Sequence, residues 1–71
     1  MKLWIARDRR GTRLTLHGEK PTWVEEYRVW SRGYITDLDD NDFPEVTFEN
    51  SPMEVELKLV TNENKDVLNK K

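Results

Sequence analysis

Met53-Glu54-Val55-Glu56-Leu57-Lys58-Leu59 alternates apolar and charged residues without a break. That period of two puts the apolar side chains on one face and the charges on the other, which predicts a half-buried strand. Leu3-Trp4-Ile5-Ala6 is instead continuously apolar, as suits a strand covered on both faces. Asp8-Arg9-Arg10-Gly11 follows, with Asp at the first and Gly at the fourth position of a type I turn. Gly11 can take positive φ without a Cβ clash, so the pattern predicts a hairpin with a three-residue loop. In that register Asp8 faces Thr12, Ala6 faces Leu14 and Trp4 faces Leu16. Trp4, Ala6, Leu14 and Leu16 then share one face, and Leu3, Ile5 and Thr15 the other.

Gly18-Glu19-Lys20-Pro21 breaks the pattern, because proline has no amide to donate and restricts the residue before it. The stretch from Thr22 to Leu38 reads two ways. Thr22 and Glu25 form a capping box, and Trp23, Tyr27 and Trp30 fall on one helical face, which gives a short helix at 22–31. Tyr27-Arg28-Val29-Trp30 is rich in aromatic and β-branched residues, and Gly33 offers a turn before Tyr34-Ile35-Thr36. The preferred reading is a second hairpin pairing 27–31 with 34–38, since a lone helix would leave Tyr34-Ile35 without a neighbour. One helical turn near 39–43, a short strand at 45–48 and a turn at Asn50-Ser51-Pro52 complete the pattern.

The expected fold is mostly β: a small twisted antiparallel sheet or partly open barrel of five or six strands, built from consecutive hairpins. The α+β arrangement with a helix at 22–31 is the alternative. Residues 1–60 form one β-rich domain with strand 2–7 central, and 61–71 hold little to bury and read as a mobile tail.

Composition narrows the function classes. Seventy-one residues make one domain at most, near the lower limit of unaided folding. The chain has no cysteine, so no disulfide or thiolate ligand assists it, and the reducing cytoplasm is the expected setting. The N-terminal apolar run is too short for a signal peptide, and no stretch is long enough to span a membrane. Net charge is only −2, but its signs are segregated. Residues 1–32 carry eight Lys/Arg against four Asp/Glu, whereas residues 33–57 carry eight acids and no base.

That acidic stretch begins at Asp37-Leu38-Asp39-Asp40-Asn41-Asp42. An EF-hand loop wants oxygen ligands at positions 1, 3 and 5, glycine at 6 and glutamate at 12. Counted from Asp37, the first three are present, but position 6 is Asp42 and position 12 is Phe48. Calcium binding at 37–45 thus has half its motif. A solvated turn with local Asx bonds is the simpler account, and the acids could also pair with Arg7, Arg28 or Arg32 across strands. Asp39, Asp40 and Asp42 are alternatively an acidic face for a basic partner. Trp23 and Trp30 lie among charged neighbours and are candidate contact residues if exposed, or caps of the open sheet if not. Arg7, Arg9, Arg10 and Arg13 cluster about the first turn beside Trp4, which suits phosphate contact and base stacking, though the sequence pI of 5.3 is far from a basic domain. Catalysis has little to work with. His17 is the only histidine, there is no thiol, and the three glycines form no phosphate loop. No cofactor is expected.

Ile5-Ala6-Arg7-Asp8 with Gly11, the Lys20-Pro21 break, and Phe43-Pro44-Glu45-Val46-Thr47-Phe48 through Pro52 to Glu54-Val55-Glu56-Leu57 resemble small uncharacterised bacterial proteins. Such proteins occur in Bacteroides-type genomes, their phages and mobile elements. The resemblance covers roughly residues 1–60 and implies a cytoplasmic accessory protein, with no activity or site residue to carry over. The resulting expectation is a non-catalytic protein acting by protein–protein interaction. It would be a monomer, or a weak homodimer through a strand edge. Nucleic-acid contact through the 7–13 hairpin is the alternative.

Overall fold

The computed structural model describes residues 1–59. Six strands form within them, with no helix: β1 (Lys2–Arg7), β2 (Leu14–His17), β3 (Thr22–Val24), β4 (Val29–Ser31), β5 (Tyr34–Leu38) and β6 (Met53–Glu56). Four make an antiparallel sheet in the order β5-β2-β1-β6, and β3 pairs with β4 in a separate ribbon. Neither sheet closes into a barrel. The fold is the expected small all-β one, with β1 inside the sheet. The strand after Ser51 is present but stops at Glu56, short of the alternation that predicts it. The expected tail at 61–71 lies outside the described residues.

The first hairpin forms, but one residue out of register from expectation. Gly11 N–H donates to the Asp8 carbonyl at 2.9 Å, which closes the expected β-turn. The Asp8 carboxylate then accepts the amides of Thr12 (2.9 Å) and Arg13 (3.2 Å), which holds one more residue in the loop. Asp8 consequently bonds across to Arg13. Trp4 faces His17, Ile5 faces Leu16, Ala6 faces Thr15 and Arg7 faces Leu14. A one-residue slip exchanges faces. Ile5, Leu14 and Leu16 therefore share a side with Met53 and Val55, while Trp4 and Ala6 sit with Thr15 and His17.

The middle of the chain corrects both earlier readings. Thr22–Val24 is a strand, not the start of a helix, and β4 pairs back to β3 instead of forward to β5. Trp23 lies opposite Trp30 with ring centroids 5.4 Å apart, an edge-to-face pair of the kind that contributes about 0.5–1.5 kcal/mol beyond its burial. The intervening turn needs no glycine. Tyr27 and Arg28 amides both bond the Val24 carbonyl, and Arg28 itself takes the left-handed conformation at φ 57°. Arg32 and Gly33, at φ 98° and 63°, then carry the chain across to β5, which pairs with β2. Gly33 is pressed against the loop after β2: its carbonyl accepts Gly18 N–H at 2.7 Å. A Cβ added there would stand 2.6 Å from the Glu19 nitrogen.

Residues 45–48 are not a strand. They belong to an irregular segment that drops Val46 onto Ile5 and Leu14, and these three buried residues form the core with Leu16, Leu38, Met53 and Val55 packed around them. Each fully buried aliphatic side chain contributes about 1.5–3 kcal/mol, so the core is small but sufficient to order the sheet. The β3–β4 ribbon lies over the opposite face: Trp30 Nε1 donates to the Arg7 carbonyl at 2.9 Å, and His17 Nδ1 meets the Arg32 carbonyl at 2.8 Å.

Candidate functional site

Arg7 organises the acidic loop. It is only 6 % exposed although charged. Its guanidinium donates from Nε to Val46 O (2.6 Å), from Nη1 to Asp40 O (3.0 Å), and from Nη2 to Asp42 O (3.0 Å) and Phe43 O (3.1 Å). A planar fork with five donors can serve four carbonyls at once, one more than the three donors of a lysine can reach. The acidic run meets this arginine through its backbone, leaving the carboxylates of Asp39, Asp40 and Asp42 on exposed residues. Asp39 Oδ1 caps the turn by accepting Asn41 N–H at 2.8 Å, and Asp42 N–H bonds Asp39 O at 3.0 Å. The carbonyl of Phe43, which would be the position-7 oxygen of a calcium loop counted from Asp37, is among those facing the guanidinium. Among the described residues, no three His, Asp or Glu side chains converge as a metal centre would need.

The four arginines assigned to the first turn separate. Arg7 is buried, and Arg13 makes two bonds to the Asp37 carboxylate, Nε at 3.1 Å and Nη2 at 3.0 Å. Tyr34 Oη donates to the same carboxylate at 2.8 Å. Asp37 is held below the usual carboxylate range, first by Arg13 and then by the Tyr34 hydroxyl. Arg9 forms an ion pair with Glu25, with a second contact at 3.0 Å. Trp23 Nε1 donates to Glu25 at 2.9 Å, and this indole bond ahead of Arg9 pulls the Glu25 carboxyl down. Arg10 is exposed at the loop tip. Trp4 is not beside them; it is half-buried under Lys20, whose Nζ lies 5.6 Å from the ring.

Trp23 and Trp30, the candidate contact aromatics, are half-buried. They pack with Phe48, whose ring centroid lies 4.9 Å from Trp23 and 5.9 Å from Trp30. Arg9 covers this cluster at 5.5 Å from Trp23 and 5.4 Å from Phe48. The cluster thus joins the ribbon to the 43–50 segment and caps the end of the sheet.

His17 has no exposed surface. The Arg32 carbonyl can only accept, so Nδ1 carries the proton there, and Nε2 is 2.8 Å from Thr15 Oγ1. Both ring nitrogens are engaged inside the fold.

The residues that sequence reading missed lie on the open face of the sheet. Leu3, Ile5, Leu16, Leu38, Val55 and Leu57 line a groove of about 310 Å³ with Phe43 at its rim. Leu57 is 57 % exposed and Phe43 45 %. Phe43 takes φ 52°, a left-handed conformation unfavourable for a bulky residue, and its ring borders the groove while its carbonyl faces Arg7. The alternation at 53–57 signals an apolar face, but only the fold shows that nothing in residues 1–59 fills the space before it.

Compared with protein families, curated proteins and solved structures, the chain matches none. The fold and surfaces define a small all-β domain of two antiparallel sheets with one open apolar face. No helix among the described residues is long and apolar enough to cross a membrane.

Proposed function

We propose that this is a small non-catalytic accessory protein of the cytoplasm that works by holding a segment of another protein. The apolar groove on the four-stranded sheet carries the reading. Contiguous exposed apolar surface rimmed by charge marks interaction sites, and this groove is framed by Leu16, Leu38, Val55 and Leu57 with acids around it. Glu56 lines the groove beside Val55 and Leu57, and Asp39, Asp40 and Asp42 follow Leu38. That setting selects a partner segment with apolar anchors flanked by Lys or Arg, the acids supplying encounter rate and register and the groove supplying affinity. The internal bonding of His17 supports a non-catalytic role. The absence of cysteine and the resemblance to small bacterial accessory proteins support the setting.

The test is co-purification from the native cell followed by titration of the identified partner. Leu57→Asp, at an exposed groove side chain outside the core, should weaken its affinity about tenfold, since one apolar anchor is worth about 1–2 kcal/mol. Changing Asp39, Asp40 and Asp42 together to Asn should slow association and flatten its salt dependence. Retained affinity in both variants would end the proposal. So would a protein that is dimeric alone and made monomeric by Leu57→Asp, because the groove would then belong to a second copy.

A further inference from the structure

We propose a second, independent site: the cleft between the β1–β2 loop and the β3–β4 loop takes single-stranded nucleic acid, one nucleotide at a time. The cleft holds about 330 Å³ and is lined by Asp8, Arg9, Arg10, Trp23, Tyr27 and Arg28. Two loops distant in sequence build it, so the basic cluster is not the 7–13 hairpin alone. Arg28, from the other sheet, replaces the buried Arg7 and the Asp37-bound Arg13.

Charge in the cleft is net positive, three arginines standing against the Asp8 and Glu25 carboxylates. The Asp8 carboxylate is turned to the Thr12 and Arg13 amides, and Glu25 is paired with Arg9 and the Trp23 indole. Among the described residues, the ion pairs are Lys2–Glu54, Arg9–Glu25 and Arg13–Asp37, which leaves Arg10 and Arg28 with no carboxylate within 4.0 Å. Guanidinium forks match phosphate oxygens in geometry as well as charge. Arg28 lines the cleft from a left-handed backbone at φ 57°, its N–H bonded to Val24 O at 2.7 Å. Such a conformation in a non-glycine residue is the sort of local strain found at functional sites.

An aromatic ring is also free. Tyr27 is 70 % exposed and, among the described residues, contacts no other aromatic, whereas Trp23 is packed against Trp30 and Phe48. A flat exposed ring beside two unpaired guanidinium groups suits a phosphodiester with a base available to stack. Bases in a duplex already stack on one another, which is why the ligand is single-stranded.

The experiment is fluorescence anisotropy of the whole protein with short labelled oligothymidylate and oligouridylate across a salt series. Arg10→Ala with Arg28→Ala should weaken binding at least tenfold and reduce the log–log salt slope by about 1.4, the value for two phosphate contacts on a single strand. Tyr27→Ala should weaken binding about tenfold with the slope unchanged. Leu57→Asp should leave it unaltered, which separates this site from the groove. Amide shifts on titration should centre on residues 8–11 and 23–28. The proposal is overturned by no saturable binding at low salt, by binding that survives the double arginine change, or by preference for duplex. Competition by inorganic pyrophosphate together with a silent Tyr27→Ala would also overturn it, revealing an anion site without base recognition. A phosphorylated peptide outcompeting the oligonucleotides would assign the cleft to a protein ligand.

Discussion

At the scale of single residues, Arg7 bears the most structure. It is a buried cation with no carboxylate within 4.0 Å among the described residues, satisfied by four carbonyls from residues 40–46. Arg7→Lys keeps the charge but loses the planar fork, leaving some of those carbonyls unpaired. The expected loss is about 1–3 kcal/mol, measurable as a lower urea midpoint, with faster amide exchange at 40–46. The acidic loop should loosen before the sheet does. Asp8 and Asp37 set the acid limit. Burial pushes the Asp8 carboxyl up, but the amides of Arg13, Thr12 and Gly11 together outweigh it and hold it below the ordinary 3.8. Asp37 is lowered through Arg13 and Tyr34. A carboxyl depressed in the folded state stabilises fully above its unfolded value, and that contribution disappears as pH falls through the lower folded value. The melting temperature should therefore fall as pH drops below the ordinary carboxylate value of 3.8, and less steeply in Asp8→Asn with Asp37→Asn.

At the scale of elements, the legible parts of the sequence were those in which local chemistry decides. The turn at 8–11, the strands on either side of it and the first four residues of the alternation after Ser51 form as their residues indicate. The hairpin register did not follow, because the deciding contact is a side chain replacing a ladder acceptor: Asp8 holds the Thr12 and Arg13 amides. Pairing of β4 with β3 was hidden for a related reason. Its turn, Glu25-Glu26-Tyr27-Arg28, contains no glycine, while the conspicuous Gly33 serves a crossing between sheets and not a hairpin. Gly33→Ala tests this assignment. It meets both a left-handed φ and the Glu19 backbone, so a loss of at least about 1–3 kcal/mol in chemical denaturation is expected. A turn merely closing 27–31 on 34–38 would have no such close approach. Of the candidate site residues, the acids and Arg9 and Arg10 were visible as charge patterns. Arg28, Tyr27 and the groove were not, since each depends on which elements the fold brings together.

At the scale of the molecule, the two faces of the main sheet differ in cover. One lies under the β3–β4 ribbon, and among the described residues the other meets Val46 and its neighbours. Its outer strands, β5 and β6, are edges, and they carry Asp37, Glu54 and Glu56. Charged side chains on an edge discourage sheet-to-sheet pairing, and two copies meeting β6 to β6 would set like charges opposite one another. Partner capture on the groove therefore does not compete with edge pairing. Arg7 also lies between the two proposed sites. Its side chain fastens the segment next to Phe43, and its own carbonyl receives the indole of Trp30, which packs against Trp23 at the cleft. One residue is thus a common hinge pin for two binding surfaces on opposite sides of a strand. If an occupant of one surface shifts that pin, the other must feel the same free-energy change in return, because linkage between two ligands is reciprocal.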